Sequence, residues 1–150
     1  MRQIVISLGN FGGIEEVAAI AIENGQLTEN TFKTHLHFDQ VGFHFADILD
    51  DLFVFISNAE LIVDRRCIYN SLAMQHGLTE DRLREHCQRM QYINDYFRPH
   101  FRHDGWGGRT NATGLCHHFN LSAIRKVYGD SALSDAMIMG VSYLIMTGTR

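Results

Sequence analysis

The chain has 150 residues, 45% of them hydrophobic and 20% charged, with a formal net charge of −4 when histidine is neutral. That size and balance fit a single domain over 1–150 with one core, and exclude a disordered or low-complexity protein. The acidic balance argues against a protein that grips nucleic acid through a broad basic surface. It leaves room for an enzyme that holds one strand end through bound metal ions.

No apolar run is long enough to span a membrane. The start, Met1-Arg2-Gln3-Ile4-Val5-Ile6, enters a strand-like segment with no leader peptide, so a cytoplasmic location and no membrane partner are expected. The three cysteines, Cys67, Cys87 and Cys116, are widely spaced and form no C-x-x-C pair, which fits reduced, buried thiols.

In chain order, Gln3 to Leu8 is a β-branched apolar run that reads as a buried strand, closed by a glycine-rich turn at 9–13. Glu16 to Ile22 reads as a second strand. Asn24-Gly25 then gives a hairpin signal. Thr31 to Phe38 alternates, with Phe32, Thr34, Leu36 and Phe38 on one face and Lys33, His35 and His37 on the other, as in a third antiparallel strand. The period changes at Phe45: Phe45, Ile48, Leu49, Leu52, Phe53 and Ile56 recur at helical spacing, with Asp47, Asp50 and Asp51 outside.

Leu61 to Val63 is a short buried strand. Ile68, Leu72 and Met74 suggest a helix that stops at Gly77. Thr79 with Glu80 and Asp81 is a helix start. The periodicity of Leu83, Cys87, Met90 and Phe97 would continue that helix. His103 to Thr113 reads as a loop. Asp130 to Met146 is the strongest helix, with Leu133, Met137, Ile138, Val141 and Leu144 on one face and Gly148 as its stop. The expected fold class is α/β: an antiparallel meander, then alternating helix and strand, in a mixed sheet flanked by helices.

These segments resemble, in order and at compatible distances, the DEDD-type 3′–5′ exonuclease family that includes the epsilon proofreading subunits of bacterial DNA polymerase III. The family's first motif is a strand ending in a D-x-E pair and followed by a glycine. Here Arg2 to Ile6 enters that motif and Gly12 follows it, but the acidic positions hold Ser7 and Gly9. Phe45-Ala46-Asp47-Ile48 and Ala59-Glu60-Leu61-Ile62 resemble the helix and strand that feed the second motif, whose aspartate falls at Tyr69. The last motif, H-x-A-x-x-D-A, reads Asp130-Ser131-Ala132-Leu133-Ser134-Asp135-Ala136, so the aspartate survives as Asp135 and the histidine position holds Asp130. The resemblance implies a ribonuclease H-like sheet. It would also place a strand within Leu83 to Phe97, where periodicity suggests helix.

Two-metal phosphodiester hydrolysis requires carboxylates converging on two Mg²⁺ ions about 3.5–4 Å apart, with a base to activate water. Of the family's positions, Ser7, Gly9 and Tyr69 supply no carboxylate, and Asp130 does not reproduce a histidine base. Asp135 and Asp130 remain as metal candidates that would hold Mg²⁺ or Mn²⁺ only weakly, so no resident cofactor is expected. Both also read simply as acids at a helix start.

Other residues of reactive type also fit ordinary structural roles. His35, His37 and His44, and His100, His103, Cys116, His117 and His118, are zinc-type ligands without a recognised spacing. Cys67 or Cys116 beside His117 would be a nucleophile–base pair, but neighbours on a helix do not face each other. The glycines at 9–13 lack the pattern of a phosphate-binding turn. Arg65, Arg66 and Trp106 are the candidate contacts to nucleic acid, with Arg82, Arg84 and Arg89 read mainly as solvated charge.

The expected function is therefore that of a catalytically degenerate exonuclease-like domain. It would act by binding a replication or repair protein, a second copy of itself, or a nucleic-acid end. The alternative is a divergent metal-dependent 3′–5′ exonuclease with rearranged ligands among Asp130, Asp135, Asp64 and the histidines.

Overall fold

The structure, a computed structural model, describes residues 2–11, 14–36, 43–65, 77–96 and 112–148. Three long strands open the chain: β1 (Gln3–Phe11), β2 (Ile14–Glu23) and β3 (Gln26–Leu36). Asn24 and Gly25 both take positive φ, 53° and 73°, between β2 and β3. This is the turn geometry that Asn-Gly tolerates best, and its twist matches that of the flanking strands. β1 and β2 pair antiparallel from Gln3–Ile22 to Phe11–Ile14, and β2 and β3 pair antiparallel with a register shift between Ile20 and Ile22.

Helix α1 (Phe43–Ile56) then leads to β4 (Glu60–Val63). Asn58 in the left-handed region (φ 60°) makes the bend between them. β4 lies parallel to β1, with Ile4 opposite Leu61 and Ile6 opposite Val63. Helix α2 (Glu80–His86) precedes β5 (Arg89–Tyr92), which adds parallel to β4 and continues into a 3₁₀ turn at Ile93–Tyr96. The described part of the chain closes with α3 (Ala112–His118), α4 (Ser122–Tyr128) and α5 (Ala132–Met146). The sheet order is β3-β2-β1-β4-β5, and β2 alone runs against the rest. The expected α/β class, with its meander and mixed sheet flanked by helices, is what the chain adopts.

Strand alternation divides the core in two. Ile4, Ile6, Leu8, Val17, Ala19, Leu61 and Val63 face one way, and Leu49, Leu52, Phe53 and Ile56 of α1 pack on them. Val5, Ile20, Ile22 and Ile62 face the other way, against Ala136, Met139, Tyr143 and Leu144 of α5 and Leu115 of α3. Each fully buried aliphatic side chain contributes about 1.5–3 kcal/mol. α5 comes close to the sheet because residue 140 is glycine: a Cβ there would lie 2.7 Å from Leu27 Cδ2 and 3.5 Å from Val5 Cγ2.

Five sequence expectations are corrected. β1 does not turn at Gly9 but runs on to Phe11, because Gly9 and Asn10 pair with Glu16 and Glu15. The periodicity of Leu83, Cys87 and Met90 does not continue the helix. Cys87 is extended, Gln88 N–H donates to Ala59 C=O at 2.8 Å, and Arg89 begins a ladder with Glu60. The exposed edge of β4 recruits the segment, which outweighs local periodicity. Ala112 and Thr113 are helical rather than loop.

The last helix starts at Ala132, not Asp130, with Ser131 as its cap. Its sheet-facing side carries Ala132, Ala136, Met139, Gly140 and Tyr143, while Leu133, Met137 and Val141 are only half-buried. The helix expected over Ile68 to Met74, and Phe97, lie outside the described residues.

Candidate functional site

The period-two alternation that buries Val5 and Ile62 under α5 also turns Gln3, Ser7 and Gly9 of β1, Glu60 of β4 and Gln91 of β5 to that face. Asp64 continues the alternation just past β4. Ser7 and Asp64 are each one residue beyond the Ile6–Val63 pair, so they are neighbours at the carboxyl end of the parallel strands. Ser7 is buried and Asp64 is only 3% exposed.

α5 runs back along β1. At its start, Ala132 N–H donates to Glu16 Oε1 at 2.8 Å, and Glu16 is the residue paired with Gly9. Ser131 Oγ accepts from Ser134 N–H at 3.1 Å and completes the cap. Farther along, Gly140 meets Val5 and Tyr143 meets Gln3. Asp135, in the first turn, therefore lies near the level of Ser7. Burial pushes its carboxyl above the ordinary range. Arg125 pulls it down, while the charges of Asp130 and Asp64 add to the upward push.

Arg125, on α4, reaches this point. Its Nη1 lies 2.6 Å from Asp135 Oδ1 and donates to Ser134 Oγ at 2.9 Å. Its Nε lies 3.8 Å from the exposed Asp130 carboxylate. The contact with Asp135 is a Coulombic one without the alignment of a good hydrogen bond, which leaves Oδ1 buried and incompletely satisfied.

The opposite end of the same face holds a second buried carboxylate. Glu60, 2% exposed, accepts from Gln3 Nε2 at 2.7 Å, from Gln91 Nε2 and from Arg89 Nε. Gln3 Nε2 also reaches Tyr143 Oη at 3.1 Å, and Tyr96 Oη donates to Gln91 Oε1. Neither Arg125 nor this cluster was singled out from the sequence. Gln3, Glu60 and Gln91 as polar residues within or beside apolar strand runs were the signal available for the cluster.

Ser7, Gly9 and Asp135 are thus brought to one end of one face, with Asp64 beside them and Asp130 at the rim. Arg65 sits next to Asp64 in sequence but is engaged locally: it stacks on Tyr92 at 4.0 Å, pairs with Asp95 at 3.2 Å, and its N–H donates to Asn94 Oδ1. Arg82 lies over Phe53, and Arg84 pairs with Glu80 at 2.8 Å. On α3, Cys116 is buried while His117 and His118 are exposed.

Arg66, Cys67, Tyr69, His37, His100, His103 and Trp106 lie outside the described residues, as do the side chains of His35 and His44. Among the described residues, no group of three or more His, Cys, Asp or Glu is arranged to hold a metal ion. The described set does not fit a two-metal centre: Ser7 and Gly9 offer no charge, and Asp135 already faces a guanidinium. No helix among the described residues is long and apolar enough to cross a membrane. The chain matches no protein-family model and no curated protein.

Proposed function

We propose that the chain is a DEDD-type exonuclease-like domain, ribonuclease H-like in fold, whose cutting centre has degenerated and which acts by binding. A three-stranded meander leading into two parallel strands, with a final helix across the first strand, is the arrangement that reading requires. The observation that carries it is the meeting of Ser7, Gly9 and Asp135 on one sheet face. These positions are far apart in the chain and resemble the family's first and last motifs. Their chemistry lacks the set of carboxylates that two metal ions need: one hydroxyl, one hydrogen and one carboxylate held by arginine. The target is a replication or repair protein, a second copy of the chain, or a nucleic-acid end.

The test is a 5′-labelled single-stranded oligonucleotide incubated with Mn²⁺, with anisotropy read alongside product length. Sedimentation reports self-association on the same sample. The reading expects no shortening. Shortening that Asp64→Asn or Asp135→Asn abolishes would replace it with the divergent-nuclease alternative. Restoring Ser7→Asp, Gly9→Glu, Tyr69→Asp and Asp130→His should strengthen Mn²⁺ binding, because clustered carboxylates supply the attraction that Ser, Gly and Tyr cannot. A folded variant with unchanged Mn²⁺ affinity would show that these positions do not form one site.

A further inference from the structure

We infer that Arg125 is the resident cation of this site: its guanidinium supplies, from within the chain, the positive charge that a divalent metal would otherwise bring to Asp135. The inference rests on the exonuclease-like reading and adds to it a reason why Asp135 needs no metal. Asp64 is buried and Asp135 largely so, and like charges brought close in a low-dielectric setting repel strongly. One full positive charge lies 2.6 Å from Asp135 and within ion-pair reach of Asp130.

The arginine is itself mostly buried, at 21% side-chain exposure, so it is not a surface charge swinging through solvent. The fully buried Ser134 Oγ accepts from the same Nη1 that faces Asp135 and fixes its direction. Two properties separate this cation from a metal. A guanidinium stays protonated at any physiological pH, and it does not dissociate. It also cannot activate water. A site filled this way is stable and inert.

A bland role for Arg125, tying α4 to α5, predicts that its loss weakens the fold regardless of metal. A cation role predicts that a divalent ion repairs the loss. The experiment is thermal unfolding of the parent, Arg125→Gln, Arg125→Lys and the double variant Arg125→Gln/Asp135→Asn, each in chelator and in millimolar Mn²⁺. Mn²⁺ binding is read in parallel by calorimetry. In chelator, Arg125→Gln should melt roughly 3–6 °C below the parent.

Mn²⁺ should recover at least half of that fall and bind at least tenfold more tightly than to the parent. Arg125→Lys, which keeps the charge, should stay near the parent and respond little. The double variant should lose the Mn²⁺ response. If Arg125→Gln does not fold in chelator, folding in Mn²⁺ supports the role and failure in both conditions overturns it. Equal Mn²⁺ responses in parent and Arg125→Gln also overturn it. A negative result with an oligonucleotide left intact removes only the role of Arg125. Shortening by the parent removes the binding-only reading instead.

Discussion

The interface between α5 and the sheet holds a carboxylate at each end, and the two are handled differently. At the amino end, Glu60 is surrounded by donors of several kinds: two carboxamides and a guanidinium, with tyrosine hydroxyls bracing the amides. At the carboxyl end, Asp135 faces one guanidinium and keeps an incompletely satisfied oxygen, with Asp64 adding like charge nearby. The first arrangement is what a charge requires to be buried as structure, with donors on both carboxylate oxygens. The second leaves one carboxylate oxygen of Asp135 without a complete set of donors. Polar satisfaction thus separates the two carboxylates.

The largest expected effect tests the satisfied end. Glu60→Ala strands Gln3 and Gln91 donors in a closed environment and should cost about 3 kcal/mol in urea unfolding. Asp135→Ala should cost clearly less, since Asp135 is imperfectly bonded. Equal losses at the two ends would erase the contrast.

Gly140→Ala probes whether the ends are coupled. The new Cβ presses on the flexible end of Leu27 and on Val5, so roughly 1–2 kcal/mol is expected. If α5 links the two ends, its loss combined with Glu60→Ala should be non-additive; strict additivity would mean that the ends are independent.

Ser131→Ala removes the cap at the carboxyl end together with the hydroxyl's bond to Tyr128 C=O. It should cost about 1 kcal/mol, with the amino-end cluster undisturbed, as tyrosine near-ultraviolet signals would report.

The smallest effect is a slope with pH. The folded Asp135 carboxyl binds its proton more tightly than the unfolded one, whose ordinary value is 3.8. Its contribution is therefore fully present below that value and is lost as pH rises through the raised folded value. The stability of the parent relative to Asp135→Asn should decline across that interval. An opposite slope would mean that Arg125 outweighs burial at this position.

What could be read from the sequence followed what local chemistry determines. Asn24-Gly25 announced its hairpin because few other dipeptides tolerate two positive φ angles. Thr79 with Glu80 and Asp81 announced α2, and Thr79 Oγ1 does accept from Arg82 N–H. β4 was visible as a run of apolar residues. β5 could not be read from periodicity, because Arg89-Met90-Gln91-Tyr92 becomes a strand only by finding the open edge of β4; the family resemblance anticipated a strand there.

The buried face of α5 differs from the expected one for a related reason. Large residues advertise burial, whereas close approach to a sheet is made by Ala132, Ala136 and Gly140. At the site, Ser7, Gly9 and Asp135 were found through motif resemblance. Arg125 was not, because Arg125-Lys126 in a short helix looks the same in sequence whether it faces water or a carboxylate.

The contact of Tyr143 with Gln3 joins residues 140 apart in the chain, whereas the β1–β2–β3 meander is built from near neighbours. The meander can therefore form early, on local contacts, while α5 docks late. Until it does, both buried carboxylates stand in water, fully hydrated and cheap to keep. Docking of this one helix dehydrates both ends in a single event, so partly folded forms that lack it incur no electrostatic penalty. Native-state hydrogen exchange should find α5 opening as a unit, below the free energy of global unfolding, with the meander still protected.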